Sequence, residues 1–531
     1  MRLLAAFLLL LAVAWAQAER ILLIPLDSRP AAGQFAQMIA KTAGVDVELP
    51  PIDLLGRFTT PGQPDKILDW LERADLSDVS AVIASTDMVC YGGLIESRVN
   101  TVAMPLALQR ARRLSRIVRA APHVRLYAFA ATMRLFPTAT QKANRYRMAL
   151  AKYEEANAKG KILGDAEARR TAARILPTLP KREVEAYENT RLRNVYVQSA
   201  LLRMVADKSI DYMIMGQDDA RPFGPHVAEN VALKRRAASL GIEDGVFFCE
   251  GIDQHANILL SRALLAQAGW SPAVRVVASD EDGLALYASY ESKPLRESLS
   301  DQLLASGARV AAPGEEYDYT LYLNTPKRRK DRFETFLTAL KEDIDQGFPV
   351  AVADINLAND GTSDPELFAG LEERQRTMRL LAFAGWNTAG NTMGTAIPAA
   401  NVYLLARRLR VDPLVREVAQ REFLLHRFVD DADYHKLTRP AAYRMIREAN
   451  GGSIDEVYGE EFARVEAFVQ RDLKAHLMET FQDQFLGRRF FAGTKQYAFS
   501  GIDDVSISLP WPRAYEVRLS FHLEATPVGG G

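Results

Sequence analysis

The chain has very few cysteines, no excess of charge of either sign and only one long apolar run. Cys90 and Cys249 are its only cysteines, which excludes a small domain stapled by disulfides. Both stand near the end of an apolar run and are either bridged or buried as thiols. A body this large needs no staple, which favours two buried thiols. With 66 basic residues against 67 acidic ones, no global field draws nucleic acid or an anionic membrane. The expected partner is a small molecule or oligosaccharide and not nucleic acid, with the oligomeric state left open.

The single long apolar stretch runs from Leu3 to Trp15, after Met1-Arg2 and before Ala16-Gln17-Ala18. It is too short to cross about 30 Å of hydrocarbon and no Lys/Arg cluster follows it, so it reads as a signal peptide over residues 1–18, cleaved near Ala18. The mature protein is expected to be periplasmic or secreted, with no membrane anchor after cleavage.

Several catalytic signatures are missing as well. There is no G-x-S-x-G elbow and no Walker-type loop, which argues against the familiar serine and nucleotide hydrolases. No H-x-H, H-E-x-x-H or paired-Cys spacing occurs, so neither a metal nor another cofactor is expected, although His226 and His255 with nearby carboxylates keep a metal-dependent hydrolase or deacetylase as an alternative. Gly92-Gly93 alone is a weak phosphate signal. Cys90 lacks the adjacent His that would activate a nucleophile.

Nine short apolar runs are present: Ile21 to Leu26, Ala81 to Thr86, Val124 to Ala131, Tyr212 to Met215, Val246 to Cys249, Val274 to Ala278, Tyr319 to Leu323, Val350 to Ala353 and Leu380 to Ala384. Rich in Val, Ile, Leu and Tyr and mostly separated by helical periodicity, they predict an α/β fold with largely parallel strands. A barrel of the TIM type is the preferred arrangement, and a doubly wound open sheet, single or in tandem, is the alternative. The expected α/β domain spans residues 19–400 and carries a charged helical insertion over 140–208. A helical region follows over 401–482, then a small β tail with a disordered end over 483–531.

Polar residues gather where these runs end. The first run ends in Asp27-Ser28-Arg29-Pro30, and the second is followed by Asp87, Tyr91-Gly92-Gly93 and Arg98. Later come Gln217-Asp218-Asp219, Asp253-Gln254-His255, Asn324-Thr325-Pro326, Asp354 with Asn356, and Gly385-Trp386-Asn387-Thr388-Ala389-Gly390-Asn391. Parallel strands open their C-terminal ends on one face, so these residues are expected to converge. A single Asp or Asn there serves equally well as the N-cap of the next helix. Adjacent Asp218-Asp219 exceeds what capping requires, since the second charge raises the cost of burial. Trp386 suits either a pocket wall or the core. Arg29 and Arg98 suit either a ligand carboxylate or phosphate, or internal pairs with Asp27 and Asp87.

These motifs together, from Leu26-Asp27-Ser28-Arg29-Pro30 to the Gly-Trp-Asn-Thr block at 385–388 and the closing Pro510-Trp511-Pro512-Arg513, resemble the bacterial family catalogued as domain of unknown function 4127. The resemblance covers nearly the whole mature chain. It implies a shared fold and pocket without an established reaction. Ser28 and Gln254 stand where the family pattern has acidic residues, which shifts weight to Asp27, Asp218 and Asp219.

The expectation that follows is a glycoside hydrolase acting on a saccharide. The adjacent carboxylates look like those of acetamido-sugar hydrolases that use substrate assistance, with Asp219 as general acid and Asp218 as the orienting carboxylate. Asp27, Arg29, Asp87, Tyr91, Arg98, Asp253, His255, Asn324, Asp354, Trp386, Asn387 and Asn391 are the expected substrate-binding residues. A periplasmic saccharide- or solute-binding protein is the alternative, because two α/β lobes around a cleft present the same strand ends.

Overall fold

Strand residues alternate between two buried faces, and that alternation sets the layers of the molecule. The computed structural model describes residues 20–140, 142–449 and 451–529. The expected signal peptide over 1–18 lies outside them. Six parallel strands, β1 (Arg20–Ile24), β2 (Asp46–Glu48), β3 (Val79–Ser85), β4 (Arg125–Thr132), β5 (Tyr212–Gln217) and β6 (Val246–Glu250), form one sheet in the order β2-β1-β3-β4-β5-β6. Five more, β7 (Ala273–Ala278), β8 (Arg309–Val310), β9 (Tyr319–Asn324), β10 (Val350–Asp354) and β11 (Ala382–Ala384), form a second sheet ordered β8-β7-β9-β10-β11. Counted from its own first strand, each sheet runs 2-1-3-4-5, the flavodoxin-like doubly wound order, and the first adds a sixth strand.

The barrel preferred from sequence is therefore corrected to its alternative, two open sheets in tandem. A closed barrel would join the strands in one ring, whereas here β6 and β7 belong to different sheets. All nine apolar runs are strands. The two strands without a sequence signal, β2 and β8, are edge strands of three and two residues, too short for a period-two pattern.

Ile21 and Leu23 of β1 pack into one core with the helices Pro30–Thr42, His255–Gln267 and Ala389–Arg408. That core also takes Leu321 and Leu323 of β9 and Ala351 and Ala353 of β10, so these helices form a layer shared by both sheets. Leu22 and Ile24 face the opposite way, toward helices Pro64–Arg73, Met104–Arg119 and Lys181–Ala206. On the outer face of the second sheet, Tyr322 and Val352 pack with helices Lys330–Gln346 and Gly459–Gln484. That core also receives Leu519, Phe521 and Leu523 from the antiparallel tail β12 (Arg489–Ala492), β13 (Lys495–Ser508) and β14 (Arg518–Pro527). The order of layers is helices, sheet, shared helices, sheet, helices, as expected when fully buried parallel strands need cover on both faces.

The insertion expected over 140–208 is helical, built from Arg147–Ile162, Ala166–Ile175 and Lys181–Ala206. Leu509-Pro510-Trp511-Pro512 lies in the connection between β13 and β14. Cys90 and Cys249 are free and buried, and burial raises both thiols above their usual range. Among the described residues no helix is long and apolar enough to cross a membrane.

Candidate functional site

In a doubly wound sheet the chain leaves neighbouring strands in opposite directions at the switch point, and a crevice opens beyond the carboxyl ends. In the first sheet this happens between β1 and β3. The helix after β1 (Pro30–Thr42) lies on the shared side, and the helix after β3 (Thr86–Tyr91) lies on the outer side. Arg29 and Arg98 emerge from these two connections. Both line a cavity of about 570 Å³, walled also by the loops after β4, β5 and β6 of this sheet and after β10 and β11 of the other. The insertion contributes Arg147 and Met148, and the C-terminal region contributes Arg439, Tyr443, Trp511, Arg513 and Tyr515.

The wall is rich in charge of both signs. Arg29, Arg98, Arg134, Arg147, Arg221, Arg439 and Arg513 line it beside Asp218, Asp219, Asp253, Asp360 and Asp455. Arg29 bridges Asp27 at 2.7 Å and Asp253 at 2.6 Å, and its guanidinium lies 4.9 Å from the Trp511 ring centroid. Trp511 is fixed in turn by donating from Nε1 to Ser28 Oγ at 2.9 Å. Arg98 donates to Asp218 Oδ2 from Nε at 3.0 Å and from Nη2 at 2.5 Å, and from Nη1 to Thr138 Oγ1 at 3.2 Å. Arg134 pairs with Asp219. Burial, and then the neighbouring Arg98, pull the Arg134 guanidinium down to about 10.

In the loop after β11, Asn387 lines the cavity and adopts φ 53°, a left-handed conformation that Asn tolerates better than most residues. Its Oδ1 accepts from the Tyr515 hydroxyl at 2.6 Å. Thr388 caps helix Ala389–Arg408, its side chain accepting from Asn391 N.

Asp218, Asp219, Arg29, Arg98, Asp253, Asn387 and Asn391 thus meet at one cavity, as the strand-end argument expects. The other expected binding residues stand behind the wall, and their assignment is corrected accordingly. Asp27 is buried under Arg29. Asp87 accepts from Ala131 N at 2.8 Å, and burial pushes its carboxyl up to about 7; the internal partner of Arg98 is Asp218 rather than Asp87. Tyr91 is buried under the Arg193 guanidinium, 4.2 Å from its ring centroid. His255 lies edge-on to Phe129 at 5.8 Å and burial pulls it down to about 3, so it is neutral. Asn324 donates to Asp354 at 2.9 Å and to Asp364 at 3.1 Å, closing that corner from within. Trp386 packs edge-on against Phe35 at 5.6 Å, in the core.

Sequence reasoning missed Arg134, Arg147, Tyr290, Arg439, Tyr443 and Tyr515. Arg134 follows β4 by two residues, so the strand-end rule could have found it had Arg been sought beside Asp and Asn. Tyr290 comes from the long connection after β7, and the others from the insertion and the C-terminal region, whose approach to the strand ends has no local signal. Among the described residues no group of three His, Cys, Asp or Glu is placed to hold a metal ion.

The fold and site define a class, that of tandem doubly wound α/β proteins with a charged cavity at the strand ends. Residues 21–520 match the family described as Protein of unknown function (DUF4127), and the chain belongs to that family. It has no match among curated proteins.

Proposed function

We propose that the cavity binds a saccharide bearing an anionic group, and that the protein hydrolyses it as an exported glycosidase. The observation that carries the anionic part is the corner at Asp218 and Asp219. Three guanidinium groups, Arg98, Arg134 and Arg147, line the cavity there beside two carboxylates, and Arg98 and Arg147 both oppose the charge on Arg134. A carboxylate, phosphate or sulfate on the ligand relieves that crowding and gains charge-assisted hydrogen bonds. Alternating Asp, Asn and Arg groups suit sugar hydroxyls, which both donate and accept. Tyr515 and Tyr290, both exposed, supply ring surfaces.

Hydrolysis is favoured over simple binding by the adjacency of Asp218 and Asp219, both at the cavity. In the free protein Asp218 pairs with Arg98 and Asp219 with Arg134. Asp219 becomes a proton donor only after Arg134 leaves it.

Thermal-shift measurements with neutral, uronate, sulfated and phosphorylated monosaccharides test the ligand class. Charged members should raise the melting temperature, with an effect that weakens as salt increases. Equal stabilisation by the neutral sugars would refute the anionic reading. Product release from the stabilising sugar as its nitrophenyl glycoside separates the hydrolase from a binding protein.

A further inference from the structure

Two neighbouring arginines hold two neighbouring carboxylates at this corner, but they hold them differently. The Arg98–Asp218 pair is closed in, its side chains 7% and 4% exposed, whereas the Arg134 and Asp219 side chains are 20% and 27% exposed. Arg98 makes three hydrogen bonds, two of them to Asp218. Arg134 reaches Asp219 through Nη2, and among the described residues its buried Nε has no hydrogen-bond partner. The Asp218 Oδ1 atom is further committed, accepting from Asp219 N at 2.9 Å. One pair is therefore locked and the other is a single, part-exposed contact with guanidinium donors to spare.

We propose that Arg134 is the specificity-determining residue of the site: it exchanges Asp219 for the anionic group of the ligand, and that exchange frees Asp219 to take up a proton. The inference rests on the anionic-ligand reading above and adds a coupling to it. A carboxylate deprived of its cation is easier to protonate, so the anion on the ligand and the proton on Asp219 bind together. By linkage, each strengthens the other by the same factor. Asp219 is faced by Arg134 from the loop after β4 and accompanied on its own loop by Asp218 and by Arg221, which pairs with Glu155, while Arg98, Arg147 and Tyr515 line the same cavity. Asp218 stays with Arg98 throughout. A neutral sugar leaves Arg134 on Asp219, so discrimination against it falls on turnover as well as on binding.

The test uses inorganic sulfate, which does not itself titrate near neutrality, and calorimetry in buffers of differing ionisation enthalpy at about pH 5, just above the ordinary carboxylate range. Sulfate binding to the full protein should draw in a fraction of a proton. Asp219→Asn should abolish that uptake and tighten sulfate roughly three- to tenfold, because Arg134 then has no internal competitor. Arg134→Gln should weaken sulfate about tenfold and also abolish the uptake. Sulfate binding without proton uptake, or with affinity unchanged or weakened in Asp219→Asn, overturns the exchange but leaves the anionic site standing. Failure of both the native protein and Asp219→Asn to bind sulfate removes the anionic site and the exchange with it.

Discussion

The two sheets are wound alike, yet only the first keeps its switch point open. Between β1 and β3, Arg29 and Arg98 reach a cavity. Between β7 and β9, the equivalent place is filled by the protein itself. Asp280 accepts from Arg329 N at 3.0 Å and pairs with Arg332, while Ser279 and Thr325 share a hydroxyl contact of 3.1 Å. At β10 and β11 the closure goes further. Asp364 is held by Arg328 at 2.5 Å and by Asn356 at 2.8 Å. Asp431, in the widened π-helical turn Val429–Thr438, accepts from Gly385 N at 2.7 Å and from Arg427 at 2.9 Å. The same residue types after the same kind of strand thus leave a cavity at one switch point and a brace at the other. What differs is whether a facing element supplies enough partners to close the space.

The largest expected effect tests the brace. Asp431→Asn removes one of the two carboxylates on the fully buried Arg427, leaving Asp430, and weakens the acceptor for Gly385 N. Breaking a buried pair from one side costs about 3–5 kcal/mol, so the denaturant midpoint should fall sharply. A loss below about 1 kcal/mol, within the range of an exposed pair, would erase the distinction between the two sheets.

A smaller effect concerns what the sheets have in common, a buried carboxyl of raised pKa behind each set of strand ends. Burial pushes both Asp87 and Asp354 up to about 7. A carboxyl raised in the folded state binds more protons there than in the unfolded chain, so its contribution is full below the unfolded value near 4 and is lost as pH rises to about 7. Stability should therefore decline across that window. Asp87→Asn, neutral throughout, should remove a share on the order of 1–3 kcal/mol from the decline. Chemical denaturation from pH 4 to 8 measures it, and an undiminished slope in the variant would show that Asp87 ionises as freely as an exposed group.

The smallest effect on stability tests the open side. Among the described residues Arg147 has one side-chain hydrogen bond, to Asn144 Oδ1 at 3.0 Å, and no carboxylate partner within ion-pair distance. Arg147→Gln should change stability by no more than about 0.5 kcal/mol while weakening sulfate several-fold. A variant that lost stability and kept sulfate affinity would place Arg147 among the braces.

Much of this was legible in the residues. The runs Ile21 to Leu26 and Val350 to Ala353 announce strands because fully buried parallel strands are apolar along their whole length. Asp218-Asp219 announces a site because two adjacent charges exceed what a helix cap needs. Asp354 and Asn324 carry the same signal as Asp253 and Asn387, and nothing local distinguishes them. Their fates separate through Arg328, Asp364 and the π-helical turn, which lie elsewhere in the chain.

By itself, then, the sequence determined the α/β class, the nine core strands, the helical insertion and the polar character of the strand ends, because burial period and helix capping are properties of neighbouring residues. Only the tertiary structure decided that the strands divide into two open sheets, that one switch point opens and the other closes, and that Arg134, Arg147, Arg439 and Tyr515 complete the site. Those outcomes depend on which distant segments pack over each strand end, and packing is set by shape and charge complementarity that no local pattern encodes.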